Sequence, residues 1–308
     1  MLDVCLPGTG GMMPLPERHL ATMTCRCGGY TILVDCGEGT QVALRRQKIS
    51  AFDIGLILIT HMHADHVSGL PGLLLMIAAT ERSEPVTIIG PPPIAAYVKC
   101  LKVIVPYLPY ELNVMELPPA TVPLDCDPIF QIGDMTVAPF LLQHRIPCFG
   151  YTIVVQRYPE FDAAAAERLN IPVRYWNLLQ QGQDVIGPQG EAWRSEDVLG
   201  PPRPGIKVVY CTDTRPFDGI VQRAHKADLF ICEGMYGDLA ERERLYEKSH
   251  MLMQDAAVIA AAAEAKLLWL THFSPANPDP AQYLTELQQI FPATVVSKDG
   301  ERVELKFP

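Results

Sequence analysis

Short apolar runs recur along the chain, each followed by a polar segment. Because they are rich in Val, Ile and Leu and too short for a typical helix, they predict buried strands. They span residues 31–34, 54–59, 86–89, 206–210, 229–231 and 267–270. Segments of helical character alternate with many of them, at residues 67–79, 92–103, 252–265 and 280–290. This alternation predicts an α/β fold in which helices cover the outer faces of sheets.

The polar segment after the second of these strands carries three imidazoles and a carboxylate, in the order Thr60-His61-Met62-His63-Ala64-Asp65-His66. Imidazole and carboxylate together suit zinc and related divalent ions. So short a loop cannot wrap all of these donors around one ion. We therefore predict two metal ions, with His61 and His63 on the first and Asp65 and His66 on the second.

Three further donors follow apolar strands later in the chain. His144 comes after residues 137–142 and would complete the first ion, and His272 comes after residues 267–270 and would complete the second. Asp213 follows residues 206–210, where its carboxylate can bridge both ions. A single histidine after a strand is more commonly a hydrogen-bonded loop residue. The repetition of one arrangement, a donor at the carboxyl end of a strand, favours a metal centre.

These donors and the segments around them resemble a known family. The spacing His-x-His-x-Asp-His, followed by a distant His, Asp and His, resembles the metallo-β-lactamase superfamily. Residues 6–11, 34–41, 69–74, 201–205 and 271–274 narrow the resemblance to ribonuclease Z, the endonuclease that trims the 3′ ends of precursor tRNA. The similarity extends to about Asn277. It implies one domain over residues 1–308, an αββα sandwich with the site along one edge of two facing sheets.

The resemblance also implies a function and roles for individual residues. It implies a dinuclear-metal phosphodiesterase that removes the 3′ trailer of precursor tRNA with a metal-activated hydroxide. Asp65 would orient the water as well as bind metal, and Asp35 would fix the tautomer of a histidine ligand. Glu233 and His250 match the family's proton-transfer positions, although Glu233 could equally be structural. Zinc is the expected metal, manganese and iron being accepted by the same ligands, and a homodimer is expected.

Several positions depart from the family pattern on the substrate side. Cys232 replaces the histidine of the family's His-Glu-Ala-Thr segment, Met251 and Leu252 replace a Ser-Thr pair, and Ala276 stands where an arginine is common. A histidine restored at position 232 would be expected to raise RNA cleavage. The departures keep two alternatives open: a metal-dependent hydrolase of a small phosphodiester or other small ester, and a non-catalytic metal-binding protein. A basic surface facing the site favours tRNA, and a closed apolar pocket favours the small substrate.

Residues 161–204 are rich in Gln, Gly, Pro and Asp and do not fit the alternating pattern. In the family this region forms an inserted arm that grips the tRNA elbow. Residues 170–182 contain one arginine, no lysine and no Gly-Pro pair, whereas family arms carry a basic tip. Trp176 and Trp193 look exposed. Tyr175 and Trp176 could stack on bases, but packing against protein is the favoured role.

The charge and the cysteine content of the chain indicate which partners and which cellular compartment to expect. A net charge of −10 over 308 residues argues against a general polyanion-binding surface, because nucleic-acid affinity requires phosphate neutralisation. A local basic patch remains compatible with it. The nine cysteines are scattered and suggest no disulfide framework. No signal peptide is apparent, and residues 73–79 are too short to span a bilayer. We therefore expect a cytoplasmic protein without a membrane partner.

Overall fold

The computed structural model of the chain describes residues 1–121 and 127–308. Two seven-stranded sheets lie between layers of helices, which confirms the predicted αββα sandwich. Contacts divide the chain into two units. The first comprises Met1–Val155 and Lys207–Lys306, and the second comprises Gln156–Ile206 with Phe307–Pro308.

The elements, in chain order, match most of the predicted ones to within a few residues. The strands are β1 (Leu2–Gly8), β2 (Thr22–Cys27), β3 (Tyr30–Val34), β4 (Ile54–Leu58), β5 (Val86–Gly90), β6 (Leu112–Glu116), β7 (Phe130–Ile132), β8 (Met135–Leu141), β9 (Phe149–Val155), β10 (Val185–Ile186), β11 (Ala192–Trp193), β12 (Ile206–Cys211), β13 (Leu229–Glu233), β14 (Leu268–Thr271), β15 (Thr294–Val296) and β16 (Glu301–Leu305). The helices are α1 (Thr40–Arg46), α2 (Ala64–Val67), α3 (Leu70–Ala78), α4 (Ile94–Leu101), α5 (Ala163–Arg168), α6 (Trp176–Gln180), α7 (Asp218–Ala224), α8 (Arg242–Glu247), α9 (Met253–Ala262) and α10 (Leu284–Ile290).

Each large sheet is part antiparallel and part parallel. The first has the order β16-β1-β2-β3-β4-β5-β6, and the second has the order β15-β14-β13-β12-β9-β8-β7. Strands β3 to β6 run parallel in the first sheet, as do β12 to β15 in the second. Strands β4 and β5 are buried at every position, as expected for parallel strands covered on both faces. The carboxyl ends of neighbouring parallel strands therefore meet at one edge of each sheet.

Helix α3 shows how the outer layers form. Its buried residues are Leu70, Leu73, Leu74 and Ile77, which is the spacing of one helical face. They pack with residues of β4 and β5 in one apolar cluster. On the second sheet, the alanine-rich helix α9 packs in the same way against β13 and β14. The two outer layers hold the sheets from opposite sides and leave the strand ends free for the site.

The predicted helix over residues 67–79 is interrupted near its start. Helix α2 ends at Val67, and α3 begins at Leu70. Between them, Gly69 lies so close to the loop after β3 that a Cβ there would stand 2.0 Å from the carbonyl oxygen of Gly37. The backbone amide of Gly69 also donates to the carbonyl of Cys36 at 2.9 Å. This contact fixes the loop that carries His61 to His66 against the end of β3.

The second unit has a small apolar core of its own. Its buried residues are Ala165, Ala166, Ile171, Leu179, Val185 and Val198. Trp176 and Trp193 are half-buried against this core, so the expectation that they are exposed is wrong. The indole Nε1 of Trp176 donates to the carbonyl of Ile171 at 2.9 Å, and the Tyr175 and Trp193 rings lie 5.5 Å apart. Packing, the favoured role of Tyr175 and Trp176, is confirmed.

All eight cysteines in the described ranges are free thiols, and Cys126 lies outside those ranges. Within the described residues, no helix combines the length and the apolar character needed to cross a membrane.

Replacing Gly69 by alanine is expected to destabilise the fold. Its Cβ would overlap backbone atoms of Gly37 that cannot rotate away, and overpacking of this kind typically costs about 1–3 kcal/mol. Gly200→Ala is the matched control, because its Cβ would meet nothing nearer than 3.5 Å. Chemical denaturation of both variants gives the free energies of unfolding. Equal stability of the two would contradict the assigned contact.

Candidate metal centre

The strand ends of both sheets supply the predicted donors. His61 and His63 follow β4, with His63 at the N-terminus of α2, and Asp65 and His66 lie within α2. His144 follows β8, while Asp213 follows β12 and His272 follows β14. The structure brings all seven predicted donors into one cluster. Their assignment as metal ligands stays a prediction.

The first donor set contains His61, His63, His144 and Asp213, whose ligand atoms lie within 4.8 Å of one another. Nε2 of His61 is 2.9 Å from Nδ1 of His63. That Nδ1 is 3.3 Å from Nε2 of His144, and Nε2 of His61 is 3.6 Å from Oδ2 of Asp213. Three imidazoles and a carboxylate oxygen therefore converge as the sequence predicts for the first ion.

The second donor set contains Asp65, His66 and His272. Oδ2 of Asp65 lies 3.5 Å from Nε2 of His66 and 3.6 Å from Nε2 of His272. Oδ1 of Asp213 lies 3.4 Å and 3.2 Å from the same two nitrogens. The two oxygens of Asp213 thus face different donor sets, which is the placement that a bridging carboxylate requires.

The chemistry of the buried nitrogens fits divalent ions. Nε2 of His66 and both ring nitrogens of His272 are buried and form no hydrogen bond with the described residues. Buried polar atoms are nearly always satisfied, so these nitrogens need another partner. Burial lowers the pKa of His61, His63 and His144, so these imidazoles are neutral near pH 7. A neutral imidazole is the form that binds a metal.

The second donor set is electrostatically different. Burial opposes ionisation here, yet the surrounding carboxylates raise the pKa of His66 and raise that of His272 to about 10. Burial alone would raise the pKa of Asp65 and Asp213, but the neighbouring imidazoles lower both pKa values. Without metal, protonated His66 and His272 balance the negative charges of Asp65 and Asp213. Metal binding would therefore release protons from these histidines.

Residues outside the two sets orient the donors. Oδ2 of Asp35 accepts a hydrogen bond from Nδ1 of His66 at 2.8 Å, and the backbone amide of Thr60 donates to Oδ1 at 2.8 Å. This contact leaves Nε2 of His66 for the metal, as predicted for Asp35. The backbone amide of Met12 donates to Oδ2 of Asp65 at 2.7 Å, a contact that the sequence did not reveal.

Three of these residues have left-handed backbone. The φ angles of Asp35, Asp213 and His272 are 60°, 48° and 59°, and each residue directly follows or lies next to the end of a strand. Non-glycine residues in this region cost of order 1–3 kcal/mol each where the structure over-determines them, and they cluster at functional sites. The sharp bend turns each side chain from the sheet toward the donor cluster.

Glu233 and His250, the predicted proton-transfer residues, form a pair beside the second donor set. Nδ1 of His250 is 2.9 Å from Oε2 of the buried Glu233, whose other oxygen accepts from the backbone amide of Thr214. The contact leaves Nε2 of His250 for a substrate. Burial alone would lower the pKa of His250, but the neighbouring carboxylate of Glu233 raises it above its usual value. The geometry suits a proton donor and is equally compatible with a structural role for Glu233.

A cavity of about 690 Å³ opens over the donors, and His63, Asp65, Asp213, His250 and His272 line it. Its wall also contains three cations that sequence reasoning missed: Arg145, Arg244 and Lys248. A signal was present, because Arg145 adjoins His144, and Arg244 and Lys248, which are four residues apart, shortly precede His250. The wall of the cavity therefore carries basic side chains beside apolar ones such as Met12, Met235 and Leu245.

The positions that depart from the family have different surroundings. Cys232 is fully buried in the apolar core, with its Sγ 3.7 Å from Sδ of Met251. A histidine there would lie in the core, so the structure gives no support to the expected gain in cleavage. Two other residues with hydroxyl groups, Tyr236 and Ser274, line the cavity. Oγ of Ser274 donates to the hydroxyl of Tyr236 at 2.7 Å.

The sandwich and its strand-end donor cluster together define a metallo-β-lactamase-fold protein. The chain superposes on human tRNase Z, short form, with a TM-score of 0.72 and 26% identity, covering 99% of this chain and 100% of that one. It superposes on the metallo-β-lactamase fold protein YhfI of Bacillus subtilis with a TM-score of 0.68 and 18% identity, covering 98% of each chain.

Sequence relatives narrow the class. The chain is 43% identical to ribonuclease Z of Lachnoclostridium phytofermentans, over 100% of this chain and 99% of that protein. It is 44% identical to ribonuclease Z of Clostridium acetobutylicum, over 97% and 96%. A family model described as Anti-Pycsar protein Apyc1 matches residues 3–161. The chain therefore belongs to the ribonuclease Z family, and residues 3–161 place it in the Apyc1 family as well.

Replacing Asp35 by asparagine is expected to lower metal affinity by about 10–100-fold, because Nδ1 of His66 would lose its carboxylate partner. Titration of the metal-free protein with zinc, followed by calorimetry, measures this change. Asp299→Asn is the control, because Asp299 forms a similar contact of 2.9 Å with Nδ1 of His19, a histidine outside both donor sets. Equal affinities for the two variants would show that Asp35 does not tune the site.

Proposed function

We propose that this protein removes the 3′ trailer from precursor tRNA by endonucleolytic hydrolysis, using two divalent metal ions. The observation that carries the proposal is identity of 43–44% to ribonuclease Z proteins over nearly the whole chain. The donor cluster supports it, because the side chains predicted to bind the two ions lie close together. Arg145, Arg244 and Lys248 in the wall of the cavity also favour an anionic phosphodiester substrate over an uncharged small ester.

When bound, divalent ions lower the pKa of a water toward about 7 and neutralise charge on phosphoryl oxygens. The side chains of the chain supply the remaining functions. Asp65 orients the water for attack on phosphorus in line with the departing ribose oxygen. His250 donates a proton from Nε2 to that oxygen, and Glu233 stabilises the imidazolium before transfer. The products are a tRNA with a 3′-hydroxyl and a trailer with a 5′-phosphate.

The metal is proposed to be zinc in both sets. Imidazole-rich sets with one or two carboxylates are common for zinc. Manganese and iron accept the same ligands, and availability in the cell selects among them. Metal content measured on protein purified without added metal identifies the ion.

A homodimer is proposed on the basis of exposed apolar side chains in the segment between α4 and β6, and β6 is the edge strand of the first sheet. Val103, Ile104 and Tyr107 are 85%, 61% and 77% exposed. Large apolar side chains exposed close together in the chain are a feature of protein interfaces. Family resemblance supports a second copy of this chain as the partner.

A cytoplasmic location is also proposed. Precursor tRNA, the proposed substrate, is made and processed inside the cell. The free thiols of the described residues are compatible with a reducing compartment.

Incubation of the zinc- or manganese-loaded protein with precursor tRNA is expected to give a cut after the discriminator base. His63→Ala removes a donor from the first set and should lower kcat/KM by about two orders of magnitude or more. His225→Ala, which changes an exposed histidine outside the cluster, should retain activity. Hydrolysis of a chromogenic phosphodiester without tRNA cleavage would move the protein to the small-substrate alternative.

Substitution of Val103 and Ile104 together by lysine is expected to raise the dimer dissociation constant by about tenfold or more, since exposed apolar anchors dominate such interfaces. Val258→Lys is the control, because Val258 is 55% exposed on α9, away from β6. Sedimentation velocity measures the three proteins. A monomeric wild type, or an unchanged double variant, would refute the proposed interface.

A further inference from the structure

Among the described residues, Arg145, Arg244 and Lys248 are the three lysine or arginine side chains in the wall of the cavity over the donor cluster. We propose that these residues, the cationic clamp, bind backbone phosphates of the RNA next to the scissile linkage and supply electrostatic affinity that the arm of this chain lacks. The inference rests on the proposed function and deepens it, because it assigns a substrate-binding role to residues outside the metal-binding and proton-transfer sets.

Two members of the clamp lie one turn apart at the end of α8, with Arg244 inside the helix and Lys248 directly after its last residue. The backbone amide of Lys248 donates to the carbonyl of Arg244 at 3.2 Å, so their side chains stand one helical turn apart and point to the same side. His250 follows two residues later and pairs with Glu233 at 2.9 Å. The helix that presents the two cations therefore leads directly into the predicted proton donor.

The third member comes from the segment after β8. Arg145 directly follows His144, a donor of the first set. Arg145 lines the same cavity as His63. The clamp thus draws on two separate segments, and each segment also carries a residue of the site. A phosphate held by these side chains would lie beside the reacting phosphorus.

The cations are available for a ligand. Within the described residues, the carboxylates that line the cavity are those of Asp65 and Asp213, the expected metal ligands. Arg145 and Lys248 form no ion pair there, and both are exposed. Arg244 contacts Glu241 at 3.1 Å, an exposed pair of the kind that is worth little. In a chain of net charge −10, cations in a cavity focus the attraction of a polyanion.

The second unit, which contains the arm, has a slight excess of negative charge. Residues 156–206 contain five arginines, no lysine and seven carboxylates. Arg194 pairs with Glu196 at 3.0 Å and Arg203 with Glu160 at 3.1 Å, while Arg174 stacks on the Tyr175 ring at 4.7 Å. Because RNA affinity depends on neutralised phosphates, this unit contributes little to it. Arginine forks and a lysine ammonium in the cavity are suited to phosphate oxygens.

Salt dependence of cleavage tests the clamp. The variants are Arg145→Gln and the double variant Arg244→Gln/Lys248→Gln, with Arg174→Gln in the arm as the control. The measurement is kcat/KM of the zinc-loaded protein on precursor tRNA over a range of NaCl concentrations, with a chromogenic phosphodiester as second substrate. All three clamp positions are exposed, so the variants should fold, and circular dichroism verifies it.

We expect kcat/KM on precursor tRNA to fall about tenfold or more in the double variant. The slope of log kcat/KM against log salt should become shallower by about one for each phosphate contact removed. The loss should be at least about tenfold greater for tRNA than for the diester, because the diester offers no second phosphate. Arg174→Gln should match the wild type.

The outcomes separate the clamp from the proposed function. A wild type that cleaves precursor tRNA, with clamp variants of unchanged slope, would overturn the clamp alone. A loss confined to Arg174→Gln would assign the RNA grip to the arm and overturn it as well. A wild type that hydrolyses only the diester would overturn the proposed function, and the clamp with it.

Discussion

The carboxylate of Asp213 joins the two donor sets, and its position constrains both sheets. Its Oδ2 lies 3.6 Å from His61 after β4, and its Oδ1 lies 3.2 Å from His272 after β14. A buried carboxylate needs compensating positive charge or hydrogen bonds. The imidazoles that compensate it come from strands of different sheets. The donor cluster therefore exists only when both sheets are packed together, so metal affinity and folding are linked.

Much of the fold and of the donor cluster could be predicted from the sequence. Parallel strands buried on both faces are nearly continuous apolar runs, so β4, β5 and β12 to β14 are apparent without a structure. Their carboxyl ends meet at a sheet edge, which is why Asp213 and His272, more than fifty residues apart in sequence, could be assigned to one cluster. A donor residue follows the carboxyl end of several apolar strands, and this repetition is what indicated a common site.

The contacts that could not be predicted depend on which face a side chain takes in three dimensions. Cys232 and Glu233 are neighbours in β13, yet one lies in the core and the other in the site, and only the register of the strand decides between them. Arg145 and Lys248 lie in segments far apart in sequence, so their convergence on one cavity depends on tertiary packing. The half-burial of Trp176 depends on a small core within residues 156–206 that polar composition concealed.

Asp35, Asp213 and His272 have left-handed backbone, which lowers the stability of the fold at positions where the side chain is needed for the site. Glycine would relax each of them, since it adopts positive φ without steric cost, but it would remove a donor or the partner of a donor. A search for stabilising substitutions would therefore favour changes that abolish the metal centre. Few other residues would be tolerated at these bends. An aspartate or histidine would therefore be retained there during evolution even if no single contact of its side chain is strong.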